Sequence, residues 1–121
     1  MPATIMTADD SASMRRMITF TLQQAGYDVV EAIDGKEALK RLYSTPVQML
    51  ITDLNMPNVD GIELIECVRA MPQYKYLPII MLTTESEEAR KQQGRAAGAS
   101  GWIIKPFRGE QLVALAKRFI R

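Results

Sequence analysis

Apolar residues along this chain fall into two alternating rhythms. Short runs of strand length lie at Ala3 to Ala8, Val29 to Ala32, Met49 to Thr52, Ile79 to Thr83 and Trp102 to Ile104. Between them the apolar spacing changes to three and four: Met14, Met17, Ile18 and Leu22, then Ala38, Leu39 and Leu42, then Ile62, Ile65 and Val68. The clearest stripe is the last, where Leu112, Leu115, Ala116, Phe119 and Ile120 share one helical face. The pattern predicts five strands, each followed by a helix, in (βα)5 order.

The punctuation agrees. Ser11 or Ser13, Asp34 and Ser86 can each accept from the free N–H groups of a first helical turn. Gly26 and Gly98 stand just past helix ends, and Pro46 and Pro72 stop continuation. Strands three and four are almost continuously apolar, which implies a doubly wound parallel sheet covered on both faces, with right-handed crossovers. The stretch Glu85 to Ala97 is the weakest helix, polar on most sides and carrying Gly94 at a cost of about 1 kcal/mol relative to Ala. It is expected to be mobile. With no repeat or linker in view, residues 1–121 are expected to form one domain.

A chain of 121 residues can bury roughly two thirds of its unfolded surface. At 47% hydrophobic and 24% charged, its composition is globular. Lys and Arg number 15 against 14 Asp and Glu, so the formal charge of +1 gives no field to attract nucleic acid. There is no histidine, which removes Ser-His and Cys-His catalysis and the usual zinc sites. The single cysteine, Cys67, cannot form an intramolecular disulfide, and it is expected to be a buried inert thiol on the apolar side of helix three. No apolar run approaches the ~20 residues of a membrane span, and no basic-then-apolar leader opens the chain. A cytoplasmic protein with no membrane contact is expected.

In an open α/β sheet, ligands bind beyond the carboxyl ends of the strands, where strand order reverses. Those ends carry Asp9 and Asp10, Asp53, Thr83 and Thr84, and Lys105 and Pro106. Any one of these residues could merely turn the chain or cap a helix. Three carboxylates gathered at one edge are another matter, because they repel and raise one another's pKa unless a cation is present. Mg2+ suits such an edge, since it takes oxygen ligands, uses one or two carboxylates and keeps several waters. Lys105 offers positive charge and Thr83 a hydroxyl donor to the outer oxygens of a phosphoryl group. Asp53 is then the candidate nucleophile, forming an acyl phosphate.

Five ordered marks identify a resemblance. They are Ala8-Asp9-Asp10-Ser11, Thr52-Asp53-Leu54-Asn55-Met56-Pro57, Asp60-Gly61, Leu82-Thr83-Thr84-Glu85, and Gly101-Trp102-Ile103-Ile104-Lys105-Pro106-Phe107. Over essentially the whole chain the sequence resembles the response-regulator receiver family of two-component systems. The resemblance implies a flavodoxin-like fold with strand order 2-1-3-4-5, an order for which CheY is a standing example. It implies that Asp53 is phosphorylated, that Asp10 and Asp53 bind Mg2+ directly with Asp9 acting through water, and that the Asn55 backbone carbonyl is a further ligand. It implies that Thr83 and Lys105 contact the phosphoryl group, and that the Lys105-Pro106 bond is cis.

Among receivers the short chain looks closest to the CheY-type single-domain regulators. By that likeness its partners would be a chemotaxis-type histidine kinase, a flagellar motor switch or other output protein, and a phosphatase, and the chain would act as a monomer. Asn55 and Glu85 fall where self-dephosphorylation is tuned, and both match the fast-cycling pattern. Two positions depart from the family. Trp102 stands where a switch Tyr or Phe is usual, and Thr84 stands where CheY-type chains place a small residue.

Several residues leave alternatives open. The eight methionines include Met14, Met17, Met49 and Met81 at core-facing positions, which favours filler over a binding groove. Arg90, Lys91, Arg95, Arg108, Lys117, Arg118 and Arg121 could be a solvated face or an output surface flanking Trp102. An aspartyl-nucleophile phosphatase would need a second Asp where Asn55 stands, and a flavodoxin would need a phosphate loop where Asp9 and Asp10 stand. Within signalling, a phosphorelay intermediate or the receiver half of a transcriptional regulator competes with a native short protein, which Met1 and a complete fifth helix favour.

Overall fold

The computed structural model describes residues 2–120. It contains β1 (Thr4–Ala8), α1 (Ala12–Gln24), β2 (Asp28–Ala32), α2 (Gly35–Ser44), β3 (Met49–Asp53), α3 (Gly61–Ala70), β4 (Ile79–Thr83), α4 (Glu88–Ala97), β5 (Gly101–Ile104) and α5 (Gly109–Phe119). Short 3-10 turns at Pro72–Tyr74 and Glu85–Glu87 precede β4 and α4. The five strands form one sheet in the order β2-β1-β3-β4-β5, with every pair parallel. This is the expected (βα)5 doubly wound fold.

The sheet divides the core in two because side chains alternate along each strand. On one face Met6, Leu50, Ile79 and Met81 pack against Leu42, Leu64, Ile65 and Val68 of α2 and α3. On the other, Ile5, Met49, Ile51, Ile80 and Leu82 meet Ile18 and Leu22 of α1 and Leu112 and Ala116 of α5. All of these residues are buried, as β3 and β4 must be when both faces are covered.

Helix ends follow the sequence in most places. Ser11 accepts from the Met14 N–H and Asp34 from the Glu37 N–H. Gly26 has φ 97° and Gly98 φ 122°, the left-handed conformation that closes a helix. Ser86 does not cap α4. It lies inside the 3-10 turn, where Thr84 takes the capping position and exchanges bonds with Glu87. Gly94 also proves useful: a Cβ there would stand 2.1 Å from the Met81 sulfur, so the glycine lets α4 lie directly on β4. Cys67 corrects the expectation made for it, because Leu64, Ile65 and Val68 fill the inward arc of α3 and turn the thiol to solvent. Met14 and Met17 pack at the core margin, and Met49 and Met81 lie within it.

Candidate functional site

Strand register builds the site. Ala8 pairs with Thr52, so the residues that follow them, Asp9 and Asp53, emerge side by side where β1 and β3 diverge to opposite halves of the sheet. On the far side of β3, Asp53 pairs with Leu82 and Thr83 pairs with Ile104, which brings Thr83 and then Lys105 to the same edge. Four strands thus deliver four short segments of chemistry to one crevice at the switch in strand order.

Asp53 is 7% exposed and fixed from several sides. Its Oδ1 accepts from the Leu54 N–H at 2.8 Å, and its Oδ2 from Lys105 Nζ at 3.1 Å. The Thr52 hydroxyl donates to the Asp53 carbonyl at 2.8 Å. Gly61 packs against that same carbonyl, where a Cβ would come within 2.1 Å. Asp60, just before it, starts α3 by accepting from the Glu63 N–H at 2.9 Å. The Asp60-Gly61 pair is therefore a device for seating α3 tightly beneath the nucleophile candidate.

Asp9 is fully buried and Asp10 exposed, and carboxylate oxygens of Asp9, Asp10 and Asp53 lie within 4.8 Å of one another. One Asp9 oxygen accepts from the Ser11 N–H at 2.9 Å, while the other, Oδ2, has no partner among the described residues. Burial pushes the Asp9 carboxyl above its ordinary value of 3.8, and the charges of Asp53 and Asp10 add to the rise against the opposing Ser11 N–H and Lys105. The Thr83 hydroxyl is likewise buried and without a partner among the described residues. An unpartnered carboxylate oxygen and an unpartnered hydroxyl on opposite sides of Asp53 fit a cation and an oxyanion. The ligand set is wholly oxygen, as a hard divalent cation requires.

Sequence reasoning missed three supports. Arg15 of α1 donates to the Asp9 carbonyl at 2.6 Å and pairs with Glu31, which anchors the turn carrying both acids. Arg90, grouped by sequence with the output charges, instead donates to the Leu54 carbonyl at 3.2 Å and approaches Asp60 at 3.5 Å. Glu87 is the third. Its carboxylate accepts from the Asn55 side-chain amide and from both the N–H and hydroxyl of Thr84, at 2.9 and 3.1 Å. Burial pushes its carboxyl up, but these hydrogen bonds and the charge of Lys105 outweigh burial and hold it below its ordinary value. Glu85, the residue singled out from sequence, is exposed and lines an open cleft of about 520 Å³ with Trp102, Ile104, Lys105 and Leu115.

The Lys105-Pro106 bond is cis, as expected. Residues 5–117 match the response regulator receiver domain model. The chain belongs to the response-regulator receiver family.

This receiver is 44% identical over 105 residues to the chemotaxis protein CheY1 of Helicobacter pylori strain J99, covering 85% of each chain. It is 45% identical to a chemotaxis protein CheY homolog of Campylobacter jejuni, over 85% of this chain and 81% of that one. Its fold superposes on the crystal structure of the chemotaxis response regulator CheY4 of Vibrio cholerae with a TM-score of 0.93 and 44% identity, covering 99% of this chain and all of that one. The receiver is a phosphorylation-switched response regulator, working in general between a histidine kinase and an output partner.

Of the expected output residues, Trp102 is 37% exposed and stands outward against α4. Lys91 Nζ lies 4.5 Å and the Arg95 guanidinium carbon 5.1 Å from its ring centre. Arg108, Lys117 and Arg118 are exposed along α5 and its approach, while Arg121 lies outside the described residues. No helix among the described residues is long and apolar enough to cross a membrane.

Proposed function

We propose that Asp53 is the phosphoacceptor and that the receiver, residues 1–121 as one domain, relays a chemotactic signal. The observation that carries this is the pair of unpartnered buried groups, Asp9 Oδ2 and Thr83 Oγ1, flanking an Asp53 that is already held by Lys105. Asp9, Asp10, Asp53 and the Asn55 carbonyl would hold Mg2+. Bound there, the ion would supply the positive charge that lets a phosphoryl dianion approach carboxylates.

An Asp53 oxygen attacks the phosphorus of a phosphohistidine on the kinase. The new P–O bond forms as the P–N bond breaks, and the imidazole leaves with the electron pair. Lys105, drawn off Asp53 Oδ2, takes up the charge of an outer phosphoryl oxygen, and the Thr83 hydroxyl donates to another. Attack of water on phosphorus reverses the modification, releasing inorganic phosphate, with Asn55 and Glu85 tuning the rate toward a short lifetime. The protein is in this reading a signalling component, not an enzyme with a separate substrate. The names of its relatives support a chemotactic role; in this reading a chemotaxis kinase acts upstream and a flagellar motor switch or other output protein downstream, with a phosphatase as a further partner. A cytoplasmic monomer is the form in which it acts, and Thr83 and Trp102 couple site to output.

Incubation with acetyl phosphate and Mg2+ should add one phosphoryl group by intact mass, and Asp53→Asn should abolish the addition. A labile phosphate retained in that variant would move the nucleophile elsewhere. A phosphoryl lifetime of many hours in the wild type would overturn the fast-cycling assignment of Asn55 and Glu85.

A further inference from the structure

Glu87 is an anion already resident at the rim of the site. It sits at the last position of the 3-10 turn Glu85–Glu87, half-buried, and its two oxygens take donors from two different strand-end loops. From the β3–α3 loop it takes the Asn55 amide, and from the end of β4 it takes the N–H and hydroxyl of Thr84. Those groups adjoin the two residues most directly concerned with an incoming phosphoryl group, Asp53 two positions before Asn55 and Thr83 one before Thr84. They are also the kind of donors that a phosphoryl dianion recruits. Lys105, which faces Asp53, is near enough to act on the Glu87 charge as well.

We propose that Glu87 is a positioning residue that acts as an internal competitor of the phosphoryl group. In the unphosphorylated protein it engages the Asn55 amide and the Thr84 donors and adds negative charge beside the site, so phosphorylation must displace it. Displacement frees Asn55 for hydrolysis and releases the turn that leads into α4. The proposal rests on Asp53 being the phosphoacceptor. Capping alone explains the Thr84 bonds, since Thr84 and Glu87 form a reciprocal pair at a helical start. Capping does not explain the bond to Asn55, which joins the turn to a loop 32 residues away in sequence.

Glu87→Gln tests the charge while keeping the side chain's length and its acceptor oxygen. Calorimetric titration with beryllofluoride and Mg2+ reads phosphoryl-analogue affinity in wild type and variant. Tighter binding by the variant is expected, on the order of threefold to tenfold, because a half-exposed charge is partly screened. The gap should narrow as salt is raised from about 0.02 to 0.5 M, a response that a capping role would not give. Equal or weaker binding by Glu87→Gln, with wild type binding normally, overturns the competitor role and leaves Asp53 untouched. Failure of wild type itself to bind overturns the phosphoacceptor reading, and the proposal with it.

Discussion

The two halves of the site edge are opposites in hydrogen bonding. Around the ends of β1, β3 and β4, Asp9 Oδ2 and Thr83 Oγ1 are buried without partners among the described residues, and the acids crowd one another. Around the start of α4, Glu87 collects three donors and Arg90 two acceptors, with little left unsatisfied beyond Arg90 Nε. Unpaired buried polar groups cost about 1–3 kcal/mol each, so the first region holds free energy that an arriving cation and oxyanion can recover. The second region has the reverse character, since its bonds must break before it can move. A receiver needs both, because a pocket that rewards the ligand can drive change only in an element with contacts to surrender.

The largest effect should come from the seat beneath the unsatisfied half. In Gly61→Ala the new Cβ would stand 2.1 Å from the Asp53 carbonyl oxygen and 2.7 Å from the Leu54 Cα. Both are backbone atoms and cannot swing aside, so α3 or the Asp53 backbone must shift. A loss of about 3 kcal/mol in urea denaturation is expected. Phosphorylation by acetyl phosphate should slow by about 100-fold if the carboxylate moves by an ångström. Unchanged stability would mean that α3 can lift freely and that the site is less rigid than its contacts suggest.

Removing the unpaired groups should stabilise the protein, which is the sharpest form of the contrast. Without Mg2+, Asp9→Asn should raise stability by about 1–2 kcal/mol, read as several degrees in a thermal melt. The same change should erase the further rise that Mg2+ gives to wild type. Thr83→Val, similar in shape but lacking the hydroxyl, should gain about 1 kcal/mol.

The pH dependence of the metal-free protein follows from the signs. The folded state raises the Asp9 pKa, so it binds that proton more tightly than the unfolded chain does. The stabilisation from protonated Asp9 is complete below the ordinary 3.8 and is lost as pH rises through the raised folded value. Glu87, held below its ordinary 4.5, contributes stability above 4.5 that is lost as pH falls through its depressed value. Stability of wild type that changed with pH as in Asp9→Asn would break the link between Asp9 burial and strain.

How far the sequence revealed this arrangement depends on range. The strands, their order through family resemblance, and the residues at their ends were legible, because burial on both faces writes near-continuous apolar runs and because the acids stand at fixed offsets from them. Cys67 was misread since Leu64, Ile65 and Val68 already define the inward arc, and a thiol beside that arc carries no signal of its own side. Glu87 was invisible for a different reason. Its bond to Asn55 depends on three residues of 3-10 turn where the periodic pattern suggested a helix capped by Ser86. A change of one residue in where a helix begins rotates every side chain after it, and no local pattern records which loop then lies within reach. Gly94 was legible as a cost but not as a fit, because Met81 on β4 is what the missing Cβ makes room for.

The smallest effect concerns how the saturated half holds Trp102. Lys91 and Arg95 lie one helical turn apart on α4, and both present positive charge to the outward indole. Lys91 is steered there in part by Glu88, 2.8 Å from its Nζ. Each cation over an aromatic ring at a partly exposed site contributes about 0.5–1 kcal/mol. Together they bias the indole outward by about a factor of 10, since 1.4 kcal/mol corresponds to one decade. If Trp102 is the switch proposed above, an inward turn on phosphorylation would forfeit both contacts, and the pair would set how much of the equilibrium the phosphoryl group must overcome. The double variant Lys91→Ala with Arg95→Ala should therefore shift the unphosphorylated protein toward the inward rotamer. The indole is the chain's only tryptophan, so its emission should move to shorter wavelength and its quenching by acrylamide should fall. Beryllofluoride should then add little further change, and Thr83→Ala in the wild-type background should lose the response altogether. If the double variant emits and quenches as wild type does while still responding fully to beryllofluoride, the cations only decorate the ring, and the turn from Glu85 to Glu87 carries the switch instead.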